Sequence, residues 1–132
     1  MEETKINYLI SCLLALQGQA KNVHYNTKDY GIHLFADRVQ EEIDGFMDEL
    51  KENYLLAHGH KVKSSSVYFA EASTYVKDGD DLLSIKPILM KCLTALEQVQ
   101  NMSMGDNDLL GKIGDNLQNS LGLLNMLTGD LK

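Results

Sequence analysis

Apolar residues return at steps of three and four through four long stretches of this chain, and that spacing constrains the fold more than any other feature. A helix turns every 3.6 residues, so such a pattern gathers a stripe that must be buried against another element. Over residues 4–25 the stripe is Ile6, Leu9, Ile10, Leu13, Leu16 and Ala20, and it continues to His24. Residues 26–31 (Asn26 to Gly31) read as a turn, because Asn, Asp and Gly tolerate backbone conformations that stop a helix. A second helix is expected over 32–58, with Phe35, Val39, Ile43, Phe46 and Leu50 facing the core. Gly59 ends it, and His58 and His60 lie beside that end.

Residues 60–81 are less regular, with a loop followed by a short helix over 67–76. A third long helix is expected to start with Ser84 as its cap, to hold Pro87 in its first turn and to stop near Gly105. Asp106 or Asp108 then caps a fourth, in which Leu110, Ile113, Leu117, Leu121 and Leu124 recur. Four amphipathic helices with one long middle connection predict an all-α four-helix bundle with a crossover. A length of 132 residues allows a single domain, 1–132, with a real core. Gly111, Gly114, Gly122 and Gly129 weaken the last helix, through close packing against a neighbour or through a start and an end that need them.

Charge removes one class of partner. The net charge is −7 and neither end carries a basic tail, so a grip on nucleic acid backbone is not expected. Cys12 and Cys92 fall within apolar segments and form no C-x-x-C pair, which predicts buried free thiols in a reducing compartment. Glu2 and Glu3 stand where a signal peptide needs basic residues, and no apolar run is long enough to span a bilayer. The expected location is cytoplasmic.

The second helix carries a second stripe. His33, Asp37, Glu41, Asp44, Asp48 and Glu52 share one sector away from the apolar face, with Lys51 the only cation among them. Like charges four residues apart repel, and a divalent cation would relieve that cost; carboxylate and imidazole donors suit iron, manganese or zinc. A charged stripe opposite an apolar one is usually just a solvated helix face, and a histidine placed like His24 is more often a hydrogen-bonded core residue than a ligand. His58 and His60 lack partners at zinc spacing. Asp78-Gly79-Asp80-Asp81 and Asp106-Asn107-Asp108 lack the ligand series of a calcium loop. Phosphate-binding, dinucleotide and hydrolase motifs are not found in the sequence.

Three short runs carry a resemblance: Lys21-Asn22-Val23-His24-Tyr25-Asn26-Thr27-Lys28, then His33-Leu34-Phe35-Ala36-Asp37, then Asp48-Glu49-Leu50-Lys51-Glu52. Together they resemble the signature of the Dps-like mini-ferritins, within the ferritin-like superfamily, and the likeness extends in outline over nearly the whole chain. Tyr25 stands where that family has tryptophan, and the stretch between His24 and His33 is shorter. The resemblance implies a ferritin-like bundle whose long crossover connection carries a short helix. It implies a ferroxidase centre shared by two subunits, with His24 and His33 from one and Asp48 and Glu52 from the other; Asp37 is a further metal ligand or supports His33. The implied chemistry is oxidation of Fe(II) by peroxide or oxygen, with ferric iron stored in a hollow homo-oligomer, a dodecamer of twofold dimers, as protection against oxidative stress. Zinc and manganese are the alternative metals. The competing reading is a ferritin-like structural or interaction module, virus-encoded or otherwise, without ferroxidase activity; a DNA-condensing protein is the weakest.

Overall fold

The computed structural model describes residues 2–99 and 104–130, and among these every regular element is helical. Helix α1 spans Glu2–Asn26 and α2 spans Tyr30–Glu41. The second expected helix is broken at Glu42, after which the chain continues as α3, Ile43–Glu49, and a π-helical run, Leu50–Leu56. Its wider turns show in the bond from Ala57 N to Glu52 O (3.1 Å), and a bond from His60 N to Leu55 O (2.8 Å) closes its end. Gly59, at φ +80°, ends the run, as its left-handed backbone allows. The short helix α4 is Ser65–Ser73, a 3₁₀ turn covers Leu82–Ser84, α5 is Ile85–Glu97 and α6 is Met104–Thr128.

Side-chain pairs fix how the long helices run. Gln17 meets Asp44 and His24 meets His33, so α1 is antiparallel to the α2–α3 run. Gln19 meets Ser84 and Tyr8 meets Lys91, so α1 is also antiparallel to α5. Arg38 with Asn119, Glu42 with Asn116 and His58 with Asp106 make α6 antiparallel to the α2–α3 run. The second and third long helices therefore point the same way, and the segment between them must return along the bundle. It does so against α1: the Tyr68 hydroxyl donates to Asn7 Oδ1, and further on Lys77 N donates to Gln19 Oε1 at 2.7 Å.

Because α4 lies on it, α1 is buried on nearly every side. Ile6, Leu9, Leu13 and Leu16 form its expected face, but Asn7, Ser11, Cys12 and Gln19 on other sides are buried too. Fully buried Gln19 is satisfied by donating to Gly79 O (2.8 Å) and Ser84 Oγ (3.0 Å) while accepting from Lys77. The core is completed by Ile43, Leu50, Leu55, Ile85, Leu89, Ile113 and Leu117. Cys12 and Cys92 are buried and free.

Several expected boundaries are corrected. Tyr30 and Gly31 belong to α2, which Asp29 caps by accepting from Ile32 N at 3.1 Å. Ser84 stands at the N-cap position of α5 as expected but makes no side-chain capping bond: its hydroxyl serves Asp81 O and Gln19, and Asp81 caps the 3₁₀ turn before it. The third helix stops at Glu97, well before Gly105, which lies inside α6. Asp106 and Asp108 also lie inside α6, and whatever caps that helix lies outside the described residues. Of the glycines in α6, Gly114 faces Leu96 closely, Gly111 and Gly122 face open space, and Gly129 follows the helix at φ +77°. No helix among the described residues is long and apolar enough to cross a membrane.

Candidate metal centre

The tight link between α1 and α2 sets the site. Only Thr27, Lys28 and Asp29 separate the two helices, so His24 in the last turn of α1 faces His33 in the first turn of α2. Their imidazoles stack with centroids 3.9 Å apart and planes 19° apart. The Nδ1 atoms are used reciprocally: His24 Nδ1 donates to His33 O at 3.1 Å, and His33 Nδ1 donates to His24 O at 2.7 Å. A carbonyl oxygen only accepts, so each neutral ring carries its proton on Nδ1. Each Nε2 then keeps its lone pair, and neither takes a hydrogen bond among the described residues. The bond from His33 also satisfies a carbonyl in the last turn of α1, one of the group that has no partner within a helix. Tyr25 lies edge-on to His24 at 4.9 Å, and Tyr30 stacks on His33 at 6.0 Å; both tyrosines are largely exposed.

A neutral imidazole held by an Nδ1–H···O=C bond is the usual form of a metal-binding histidine, because the second nitrogen is oriented and its lone pair is kept open. The two histidines are half-buried.

The carboxylates are placed differently. Asp37 lies one turn beyond His33, is exposed, and accepts a long bond of 3.5 Å from Gln40 Nε2. Glu41 is exposed. Asp44 accepts from Gln17 Nε2 at 2.8 Å and is thereby tied to α1. Asp48 and Glu52 are exposed on α3 and on the π-helical run, without an ion-pair or hydrogen-bond partner among the described residues. Asp48 lies fifteen residues after His33, a displacement of about 22 Å at 1.5 Å per residue. One chain thus brings His24 to His33 but does not bring Asp48 or Glu52 to them. Among the described residues no three His, Cys, Asp or Glu side chains of a single chain gather in a metal-sized group.

His58 and His60 do not act as a pair. His58 Nε2 bonds the buried Asp106 Oδ2 at 2.7 Å, and His60 Nδ1 meets Glu3 Oε2 at 3.2 Å, so each joins a different helix end. Lys51, the cation within the stripe, sits over the Tyr68 ring at 5.1 Å from its centroid. The reciprocal histidine bonds escape sequence reasoning because their acceptors are backbone carbonyls; the short spacing from His24 to His33 is the only trace of them in the sequence. Neither a family model nor a curated protein matches the chain.

Proposed function

We propose that this chain is a Dps-like mini-ferritin that binds Fe(II) between two copies of itself and oxidises it. The observation that carries the reading is the reciprocal bonding of His24 and His33, which leaves two oriented lone pairs at one end of a helical run on which Asp48 and Glu52 lie without a partner among the described residues. A twofold-related copy laid antiparallel along the α2–α3 run, with the axis near residues 40–42, would bring each histidine pair to the mate's Asp48 and Glu52. The parallel second and third long helices, joined by a connection with a short helix, support a ferritin-like bundle with its crossover.

In this reading Fe(II) is substrate. His24 and His33 hold it through neutral nitrogens, which suit the ferrous ion; Asp48 and Glu52 of the mate, with Asp37 beside His33, supply oxygen donors and favour the ferric product. Two ferrous ions give one electron each to a peroxide molecule, which takes up two protons and leaves as two waters. Ferric product would collect within a hollow cytoplasmic oligomer, a dodecamer in the usual plan. Zinc or manganese would fit the same donors.

Mixing subunits tests the shared site. Protein bearing His33→Ala and protein bearing both Asp48→Ala and Glu52→Ala should each fail to oxidise Fe(II) with peroxide. Unfolding and reassembling them together should restore part of the activity, since one site in each mixed dimer keeps all its donors. Undiminished oxidation by either variant alone rejects the assignment.

A second reading, a structural or interaction module without ferroxidase activity, takes its support from exposed apolar side chains. Tyr30, Leu34, Met126 and Leu127 lie bare near one end of the bundle, as a contact surface would. That module would assemble normally yet leave Fe(II) and peroxide unchanged.

A further inference from the structure

Helices α1 and α5 share a seam whose register is fixed at two places. Gln19 Nε2 donates to Ser84 Oγ at 3.0 Å, and Lys91 Nζ donates to the Tyr8 hydroxyl at 3.5 Å. Tyr8, Cys12, Ala15 and Gln19 follow at steps of four, three and four, so they share one face of α1. Ile88, Cys92 and Ala95 share one face of α5 in the same way. The two helices are antiparallel. Seven residues back from Gln19 lies Cys12, and eight residues on from Ser84 lies Cys92. The thiols are thus level to within one residue, about 1.5 Å along the axis.

Both cysteines are fully buried and neither is in a disulfide. Packed helices stand about 8–10 Å apart, and residues as small as cysteine and alanine on a seam allow the closer spacing. A charge on Cys12 acts on Cys92, and that of Lys91 acts on both, so the three groups lie within electrostatic reach of one another. The seam also has a way in. A surface cleft of about 370 Å³ is lined by Tyr8, Met90, Lys91 and Ala95, and the Tyr8 hydroxyl hydrogen-bonds with the Cys12 thiol. Tyr8 therefore stands between the cleft and the sulfur.

We propose that Cys12 and Cys92 close into a disulfide under peroxide and so staple α1 to α5. Cys12 Sγ attacks one peroxide oxygen, the O–O bond breaks, and the thiol proton leaves with the other oxygen as water. Cys12 is then a sulfenic acid. Cys92 Sγ attacks the Cys12 sulfur, and its proton leaves with the sulfenic oxygen as a second water. Two thiols and one peroxide give one disulfide and two waters. Burial pushes both thiols above 9.0, which keeps them protonated in the resting protein and makes the first step slow. The staple closes a loop that includes most of the bundle and restricts the unfolded chain; a thiol reductant reopens it. The inference needs peroxide and not iron, so it stands apart from the ferroxidase reading.

The test treats the intact protein with hydrogen peroxide, at a dose that converts the exposed Met104 and Met126 to sulfoxide. The product is then unfolded in N-ethylmaleimide and digested. Both cysteines should escape alkylation, and the peptides of Cys12 and Cys92 should be joined within one chain until dithiothreitol parts them. The urea midpoint should shift upward on oxidation and return on reduction, and Cys12→Ala with Cys92→Ala should show no such shift. In Cys92→Ser, dimedone should trap Cys12 as its sulfenic acid; in Cys12→Ser it should label nothing. Two alkylated thiols after that dose, sulfinic acids on separate cysteines, or links formed only between chains would overturn the proposal.

Discussion

The hydroxyl of Tyr68 donates to the buried Oδ1 of Asn7 at 2.6 Å, fastening the short helix of the connection to the most enclosed helix of the bundle. Both side chains are almost fully buried, so neither can turn to water if the other is removed. Tyr68→Phe should therefore destabilise the fold by about 1–3 kcal/mol, the cost of stranding a buried acceptor. Asn7→Leu combined with Tyr68→Phe should cost less than the two single changes added together. Urea unfolding of the four proteins in a double-mutant cycle measures that coupling.

The glycines of α6 should respond in opposite directions. Gly111→Ala and Gly122→Ala point a methyl group into open space from a helical backbone, and each should raise stability by about 0.5–1 kcal/mol. Gly114→Ala places its Cβ 3.2 Å from Leu96 Cδ2, so it should gain less than these two or lose stability. Gly129→Ala should destabilise, because φ +77° strains any residue with a Cβ. Thermal midpoints of the four variants rank them directly.

Alkaline pH should loosen the fold from a defined point. Burial pushes the Cys12 thiol up from 9.0 to about 11, against smaller opposing effects of the Tyr8 hydrogen bond and the Lys91 charge. The folded protein resists ionising this group more than the unfolded chain does. Its contribution is therefore complete below pH 9.0 and is lost as pH rises through about 11. Burial raises Tyr8 and Tyr68 in the same direction, which steepens the loss above pH 10.0. Denaturation midpoints from pH 7 to 11 should fall across that window, and the fall should be shallower in Cys12→Ala.

The bonding of His24 and His33 fixes a tautomer, which nitrogen NMR reads without any metal. In neutral rings both should carry the proton on Nδ1, with Nε2 resonating as a bare nitrogen. Finding either ring protonated on Nε2 would show that the reciprocal bonds do not persist in solution.

Much of the architecture was legible because periodicity reports burial. The apolar stripe of α1, the inner face of α2 and α3, the short helix and the stop at Gly59 all follow from residue spacing. The outer side of α1 was not legible: Asn7, Ser11 and Gln19 look like a solvent face, and only the return of the chain across them makes them interior. The start of α6 was misread for a related reason. Asp106 has the chemistry of a cap, but it is buried inside the helix against His58. The histidines and carboxylates of the candidate site were named from a resemblance and their residue types. Their grouping depends on a three-residue turn and on carbonyl positions, which no side-chain pattern encodes.

The way α4 is held has a consequence for a broken chain. Asn7 fixes it to α1 through Tyr68, and Gln19 fixes the chain just beyond it at Lys77, while the stretch before it exposes Lys61 and Lys63. Trypsin nicking that stretch would leave two interleaved fragments, the later one wrapped over the first helix and laid along the second. They should co-elute as one particle and part only in denaturant, which makes this loop the natural place to split the protein or to reopen its ends.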